Sequence, residues 1–178
     1  MRSPLHSISL AGISSAAILL SFATLSAANP GDLPEILPAE GFTASLSADN
    51  SKIGNAVAIC FDTEGILYAA EVNRRKTGVL GVTWTRWWSM EDYAGVSLQD
   101  REAMYQRWAH LVPPEQLTRE SDIVRRLEDS DGDGKIDLTR VFADGFNSPL
   151  NGNAAGIAAL RNSIYLAEIP SLWRLEDS

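Results

Sequence analysis

From about residue 55 onward the chain is written as short apolar runs broken by turn residues, not as long amphipathic stretches. Ala56-Val57-Ala58-Ile59-Cys60-Phe61 ends at Asp62-Thr63-Glu64-Gly65, and Ile66-Leu67-Tyr68-Ala69-Ala70 then resumes the run. Two continuous apolar runs joined by a turn signal predict a β-hairpin buried on both faces. Gly156 to Leu160, Arg161-Asn162 and Ser163 to Ala167 predict the same hairpin with a shorter turn. Ile123 to Leu127 and Leu138 to Phe142 predict two further strands on either side of an acidic segment. Gly41 to Leu46 alternates like an edge strand.

Two fragments recur in the same order. Tyr68-Ala69-Ala70-Glu71-Val72 returns as Tyr165-Leu166-Ala167-Glu168-Ile169, 97 positions on, and Arg126-Leu127-Glu128-Asp129-Ser130 returns as Arg174-Leu175-Glu176-Asp177-Ser178, 48 positions on. The unequal offsets assign an insertion to the first copy, at about residues 73–121. Propeller blades repeat every roughly 40–50 residues, and two packed hairpins make a four-stranded blade. The expected fold is therefore all-β: a partial β-propeller of about two blades over residues 55–178, interrupted by the insertion. A parallel sheet of βαβ units is the main rival, but helical periodicity is missing between most of the strands.

The insertion has its own character. It holds Trp84, Trp87, Trp88 and Trp108, four of the chain's five tryptophans, together with Arg74, Arg75, Lys76, Arg86, Arg101 and Arg107. Ser97 to Leu111 predicts one helix, capped by Ser97, with Asp100 in its first turn and Pro113-Pro114 as its stop. Trp beside Arg suits a binding surface, for carbohydrate in particular. The plainer reading, preferred here, makes these tryptophans a satellite core covering one end of the strands.

The N-terminal segment changes the setting. Arg2 precedes an apolar and small-residue run from Ile8 to Leu25, which ends in Ser26-Ala27-Ala28-Asn29-Pro30. That order reads as a secretory signal peptide over residues 1–28, cleaved after Ala27 or Ala28. The competing reading is an uncleaved signal holding the chain to a membrane. The expected location is exported, periplasmic or extracellular, with residues 29–54 forming a leader and edge strand. About 150 residues then remain, one ordinary domain by length. The net charge is −8, and loss of Arg2 makes it more acidic still, which excludes nucleic acid and anionic membrane as partners. Cys60 is the single cysteine; it reads as a small buried hydrophobe, leaving core or metal to hold the exported chain together.

The sharpest chemical motif is Asp129-Ser130-Asp131-Gly132-Asp133-Gly134-Lys135-Ile136-Asp137. Carboxylates at alternate positions converge when the backbone curls tightly, and glycine permits the curl. Such a set of hard oxygen donors suits Ca²⁺ better than Mg²⁺ or Zn²⁺. By analogy with an EF-hand loop, Asp129, Asp131 and Asp133 bind through side chains, Lys135 through its carbonyl, and Asp137 directly or through water. Arg140 stands at the twelfth position, where an EF-hand has glutamate, and strands rather than helices flank the loop. The motif is thus a calcium-type loop bridging a hairpin. Its alternative is a metal-free Asp/Gly turn.

Leu37 to Phe42, Asn55 to Asp62, Gly65 to Glu71, the Asp129–Asp137 loop and Val141-Phe142-Ala143-Asp144-Gly145-Phe146 follow one another in order. In that order the chain resembles the N-terminal propellers of large secreted planctomycete and verrucomicrobial proteins labelled membrane-bound dehydrogenases, which look like glucose/sorbosone dehydrogenase propellers. The resemblance covers most of Gly41 to Ser178, with a variable insertion in the same place. It implies a propeller and a quinone-dependent sugar dehydrogenase ancestry, with pyrroloquinoline quinone as cofactor only if that activity holds. Two departures matter. Many relatives carry a Cys-x-x-Cys-His haem site, a motif this sequence does not contain. Quinone sugar dehydrogenases also use a histidine base, whereas His110, the only histidine beyond the leader, matches no catalytic motif and reads as a solvated helix residue. No catalytic residue carries over.

Asp177-Ser178 would open a second loop of the same kind, so the reading is of a truncated propeller. Closed propellers take roughly four or more blades, and open strand edges invite another chain to complete the sheet. The expected function is an exported, non-catalytic binding or scaffold module, with carbohydrate or another chain as partner. The alternative is the N-terminal part of a quinone-dependent sugar dehydrogenase.

Overall fold

The computed structural model describes residues 36–81 and 83–176. The signal peptide reading over 1–28, residues 29–35 and the Asp177-Ser178 pair lie outside the described residues. The chain divides into two units, Met1–Ala44 and Ser45–Ser178. In the first, a turn brings the Phe42 N–H to the Ala39 carbonyl at 3.0 Å, with Gly41 in the left-handed region at φ 86°.

The second unit holds two antiparallel sheets. β1 (Ala56–Phe61), β2 (Leu67–Glu71), β3 (Asp122–Glu128) and β4 (Leu138–Phe146) pair in chain order, and β5 (Ala154–Leu160), β6 (Ser163–Glu168) and β7 (Ser171–Glu176) do the same. Among the described residues the chain is mostly β, with short helices confined to one connection. The Asp62 carboxylate accepts the Glu64 and Ile66 N–H groups, each at 2.9 Å, and this closes the β1–β2 turn. Gly65 there sits at φ 84°, a conformation costly for any residue with a Cβ.

β5 packs against β1 and β2. The core between the sheets joins Tyr68, Ala70, Val72, Val124 and Phe146 of the first to Ala154, Ile164 and Leu166 of the second. Tyr68 meets Phe142 edge-on at 5.1 Å, and Phe146 meets Trp173 at 5.9 Å. The two sheets are internal copies in detail. Ala56 pairs with Glu71 and Ala154 with Glu168, and the same register irregularity follows, between Ala56 and Ala58 and between Ala154 and Gly156.

The predicted edge strand over Gly41–Leu46 is not formed: residues 42–49 carry no strand. Ala44, Ser45 and Ser47 are too small to bury the area that holds a strand in place. Within the second unit a backbone bond from the Ile136 N–H to the Ser47 carbonyl at 2.7 Å ties Ser47 to the β3–β4 loop.

The insertion leaves at the end of β2 and returns at the start of β3, and those two strands pair directly, with Glu71 opposite Ile123. It carries α1 (Ser89–Ala94), α2 (Leu98–Arg107) and α3 (Pro114–Leu117). Ser97 and Asp100 cap α2 reciprocally: the Asp100 N–H donates to Ser97 Oγ at 3.1 Å and the Ser97 N–H to Asp100 Oδ2 at 3.0 Å. This satisfies two amides the helix cannot. The helix stops at Arg107, short of the expected Leu111; past it the Ala109 N–H turns to the Gln106 carbonyl at 3.5 Å and the Leu111 N–H to the Trp108 carbonyl at 2.9 Å, the tighter bonding of a 3₁₀ turn. Trp88, Met104, Val112 and Leu117 form a second small core. Among the described residues, no helix is long and apolar enough to cross a membrane.

Candidate metal centre

β3 and β4 are joined by the acidic loop, whose base is closed by the Asp137 N–H on the Glu128 carbonyl at 3.1 Å. Asp129 organises the curl. Its Oδ1 accepts the Gly132 and Asp133 N–H groups at 2.8 and 3.2 Å, and its Oδ2 accepts Gly134 at 2.8 Å. Gly132 and Gly134 stand at φ 77° and 87°, where a β-carbon would be strained. Asp131 accepts the Asp133 N–H at 3.2 Å, and Asp133 accepts the Lys135 N–H at 2.8 Å. The result is that one carboxylate oxygen from each of Asp129, Asp131 and Asp133 lies within 4.8 Å of the others, on exposed side chains. At such separations each like-charged pair repels by about 1 kcal/mol in water, a cost a divalent cation would reverse.

Asp137 stands apart from this group. Its carboxylate accepts the Ser130 N–H at 3.0 Å and the Ser130 hydroxyl at 2.5 Å. The Ser130 hydroxyl, then the Ser130 amide, hold its pKa below the usual aspartate value. Lys52 Nζ donates to the Asp137 carbonyl at 3.0 Å, so the loop leans on the segment before β1. Ser130, an ordinary linker residue in the sequence, is what occupies the fourth carboxylate.

The insertion presents a second feature, a cleft of about 410 Å³ whose lining includes Lys76, Leu80, Trp84, Trp87, Leu111 and Gln116. The Trp84 and Trp87 side chains are exposed, while Trp88 is buried. Lys76 sits at φ 71°, held by its N–H on the Val79 carbonyl at 3.0 Å. A non-glycine residue in that region is uncommon and often marks a site. Elsewhere in the insertion, Glu91 accepts Arg107 Nη2 at 2.9 Å and Trp108 Nε1 at 3.3 Å, and the Arg107 bond lowers its pKa. His110 is exposed, stacks on Trp108 at 5.9 Å, and has Nδ1 3.2 Å from the Arg107 carbonyl.

A buried polar cluster escaped sequence reasoning altogether. Arg74 and Glu168 are both fully buried and meet at 3.1 Å. Arg74 also donates to the Gly152 and Ser148 carbonyls at 3.2 and 2.7 Å, and Glu168 accepts from Asn151 at 2.8 Å and Trp173 at 2.9 Å. Beside them, buried Asp122 accepts the Asn73, Arg74 and Ala154 N–H groups at 2.9, 3.0 and 2.7 Å. Glu71, the counterpart of Glu168 in the repeat, is buried and paired with Arg125, whose pKa it raises. The available signal was the repeated glutamate: an acid recurring at the end of an apolar strand needs a cation or a set of donors.

Residues 32–178 match a family described as a domain of unknown function (DUF7133). No curated protein and no solved structure matches the chain.

Proposed function

This chain belongs to the DUF7133 family, and we propose that it is an exported, propeller-type scaffold whose β3–β4 loop holds Ca²⁺ and whose insertion binds carbohydrate. The calcium reading rests on one observation, the approach of the Asp129, Asp131 and Asp133 carboxylates within 4.8 Å at the tip of a hairpin. In it Asp129, Asp131 and Asp133 hold the ion through oxygens, joined by the Lys135 carbonyl, while Asp137 braces the loop through Ser130. The metal serves as a clip between two strands, not as a reagent. Two stacked antiparallel sheets of repeated register support the propeller reading, since each blade of a propeller is such a sheet.

Calorimetry against CaCl₂ tests the calcium part. Heat of binding is expected for the chain, with affinity lowered roughly tenfold or more in Asp131→Ala, since even outer partners of metal ligands carry that much. Equal uptake by the variant would remove the loop as the site.

The carbohydrate part rests on the Trp84 and Trp87 indoles, which stand exposed on a concave surface with Lys76 and Gln116 as polar partners. Apolar faces with a few placed polar groups are what such clefts offer a ligand. Titration with soluble polysaccharides should quench tryptophan emission in the chain and not in Trp84→Ala, with thermal stability equal in both. A quench of the same size in the variant counts against the cleft. A quinone-dependent sugar dehydrogenase is the competing reading; it calls for a histidine base, and the exposed His110, held against Trp108 and Arg107, is assigned no such role.

A further inference from the structure

The two sheets are copies, yet each uses a different face. Sheet one buries the face carrying Tyr68, Ala70 and Val124 against sheet two. By register their counterparts are Tyr165, Ala167 and Leu172, because Tyr68 pairs with Arg126 and Ala70 with Val124 as Tyr165 pairs with Arg174 and Ala167 with Leu172. Val124 is 0% exposed and Leu172 is 70% exposed. An ion pair repeats the contrast. Arg126–Glu128, on the covered face, leaves 20% and 26% of its side chains exposed, while the equivalent Arg174–Glu176 leaves 59% and 56%.

The opposite faces mirror this. Sheet two turns Ile157 and Ala159 of β5 into the shared core. Their counterparts on β1 are Ile59 and Phe61, which pair with Ala69 and Leu67 as Ile157 and Ala159 pair with Leu166 and Ile164. Ile59 and Phe61 are 56% and 62% exposed. The molecule therefore displays the β1 strip of one sheet, whose β2 and β3 neighbours Ala69 and Leu127 are already covered, and the Tyr165–Leu172 face of the other.

We infer that the β1 face of one copy seats on the Tyr165–Leu172 face of a second copy, as sheet two seats on sheet one within the chain. The surfaces differ, so the association is head-to-tail. It closes into a ring or grows as a filament according to the rotation between units. The driving term is apolar burial, which leaves Phe61 and Leu172 out of water. The inference rests on repeat register and exposure, and holds with or without calcium or carbohydrate.

Sedimentation of the purified chain tests it. The weight-average mass should rise with concentration in multiples of one chain. Phe61→Lys and Leu172→Lys should each raise the concentration needed for half-association roughly tenfold or more, since a lysine would be buried unpaired. An equimolar mixture of the two variants should give dimers and stop there, because each variant keeps one intact face and the pair has only one productive contact. Dimer formation also shows that both variants are folded. A wild-type mass of one chain at every concentration would overturn the inference. So would variants that associate like wild type, or a mixture that associates no better than either variant alone.

Discussion

Glu168→Ala should lower the unfolding free energy by about 3–5 kcal/mol, the cost of leaving a buried charge without its partner. Arg74 would then lie fully buried, its two carbonyl contacts intact and its countercharge gone. The same substitution strands Asn151 Nδ2 and Trp173 Nε1, both of which donate to Glu168. Urea unfolding followed by circular dichroism reads the loss. The paired replacement Arg74→Met with Glu168→Leu should be less damaging than Glu168→Ala, because it removes both charges from the interior together. A single variant within about 1 kcal/mol of wild type would mean that water reaches the pair in solution.

That pair also marks where the sequence stopped being readable. Strands were legible because apolar runs bounded by turn residues favour extended chain: β1 falls on the six residues expected of it and Asp62 closes the following turn, but the burial expected on both faces is not met, since Val57, Ile59 and Phe61 are exposed. Helix α2 was legible at its start, through Ser97 and Asp100, which act within one turn; its end at Arg107 comes before the prolines expected to stop it. Arg74 was not. It sits in Arg74-Arg75-Lys76, a run that looks solvated, and its partner lies 94 positions away. In the acidic loop the approach of Asp129, Asp131 and Asp133 follows from local spacing, whereas the bond from the Ser130 hydroxyl to Asp137 leaves no sign in the spacing. The edge strand expected over Gly41–Leu46 failed for a related reason: alternation indicates which face would be buried but supplies no partner strand.

Trp88→Ala should cost about 3–5 kcal/mol, the usual loss for a large buried aromatic, and the loss should be local. Trp88 packs with Met104, Val112 and Leu117 in a core separate from the one between the sheets, and it meets Tyr105 edge-on at 5.6 Å. Hydrogen exchange should therefore show the amides of α2 losing protection while those of β2 and β3 keep theirs, as separately cooperative regions do. Equal loss of protection in the sheets would join the two cores into one unit and end the satellite reading. Trp87→Ala, at an exposed neighbour, should leave exchange in both regions close to wild type.

The position of Asp122 has a consequence for how this chain changes over generations. Its carboxylate receives Asn73 and Arg74, where the insertion departs, while its own backbone begins β3, where the insertion ends. The mouth of the excursion is thus sewn shut by groups that belong to the neck and not to its contents. Doubling a loop costs only about 0.6 kcal/mol in closure entropy, so what lies between residues 75 and 121 is free to lengthen, shrink or be swapped as a cassette. The sheets set the frame, and the tolerance for change lies in the cassette.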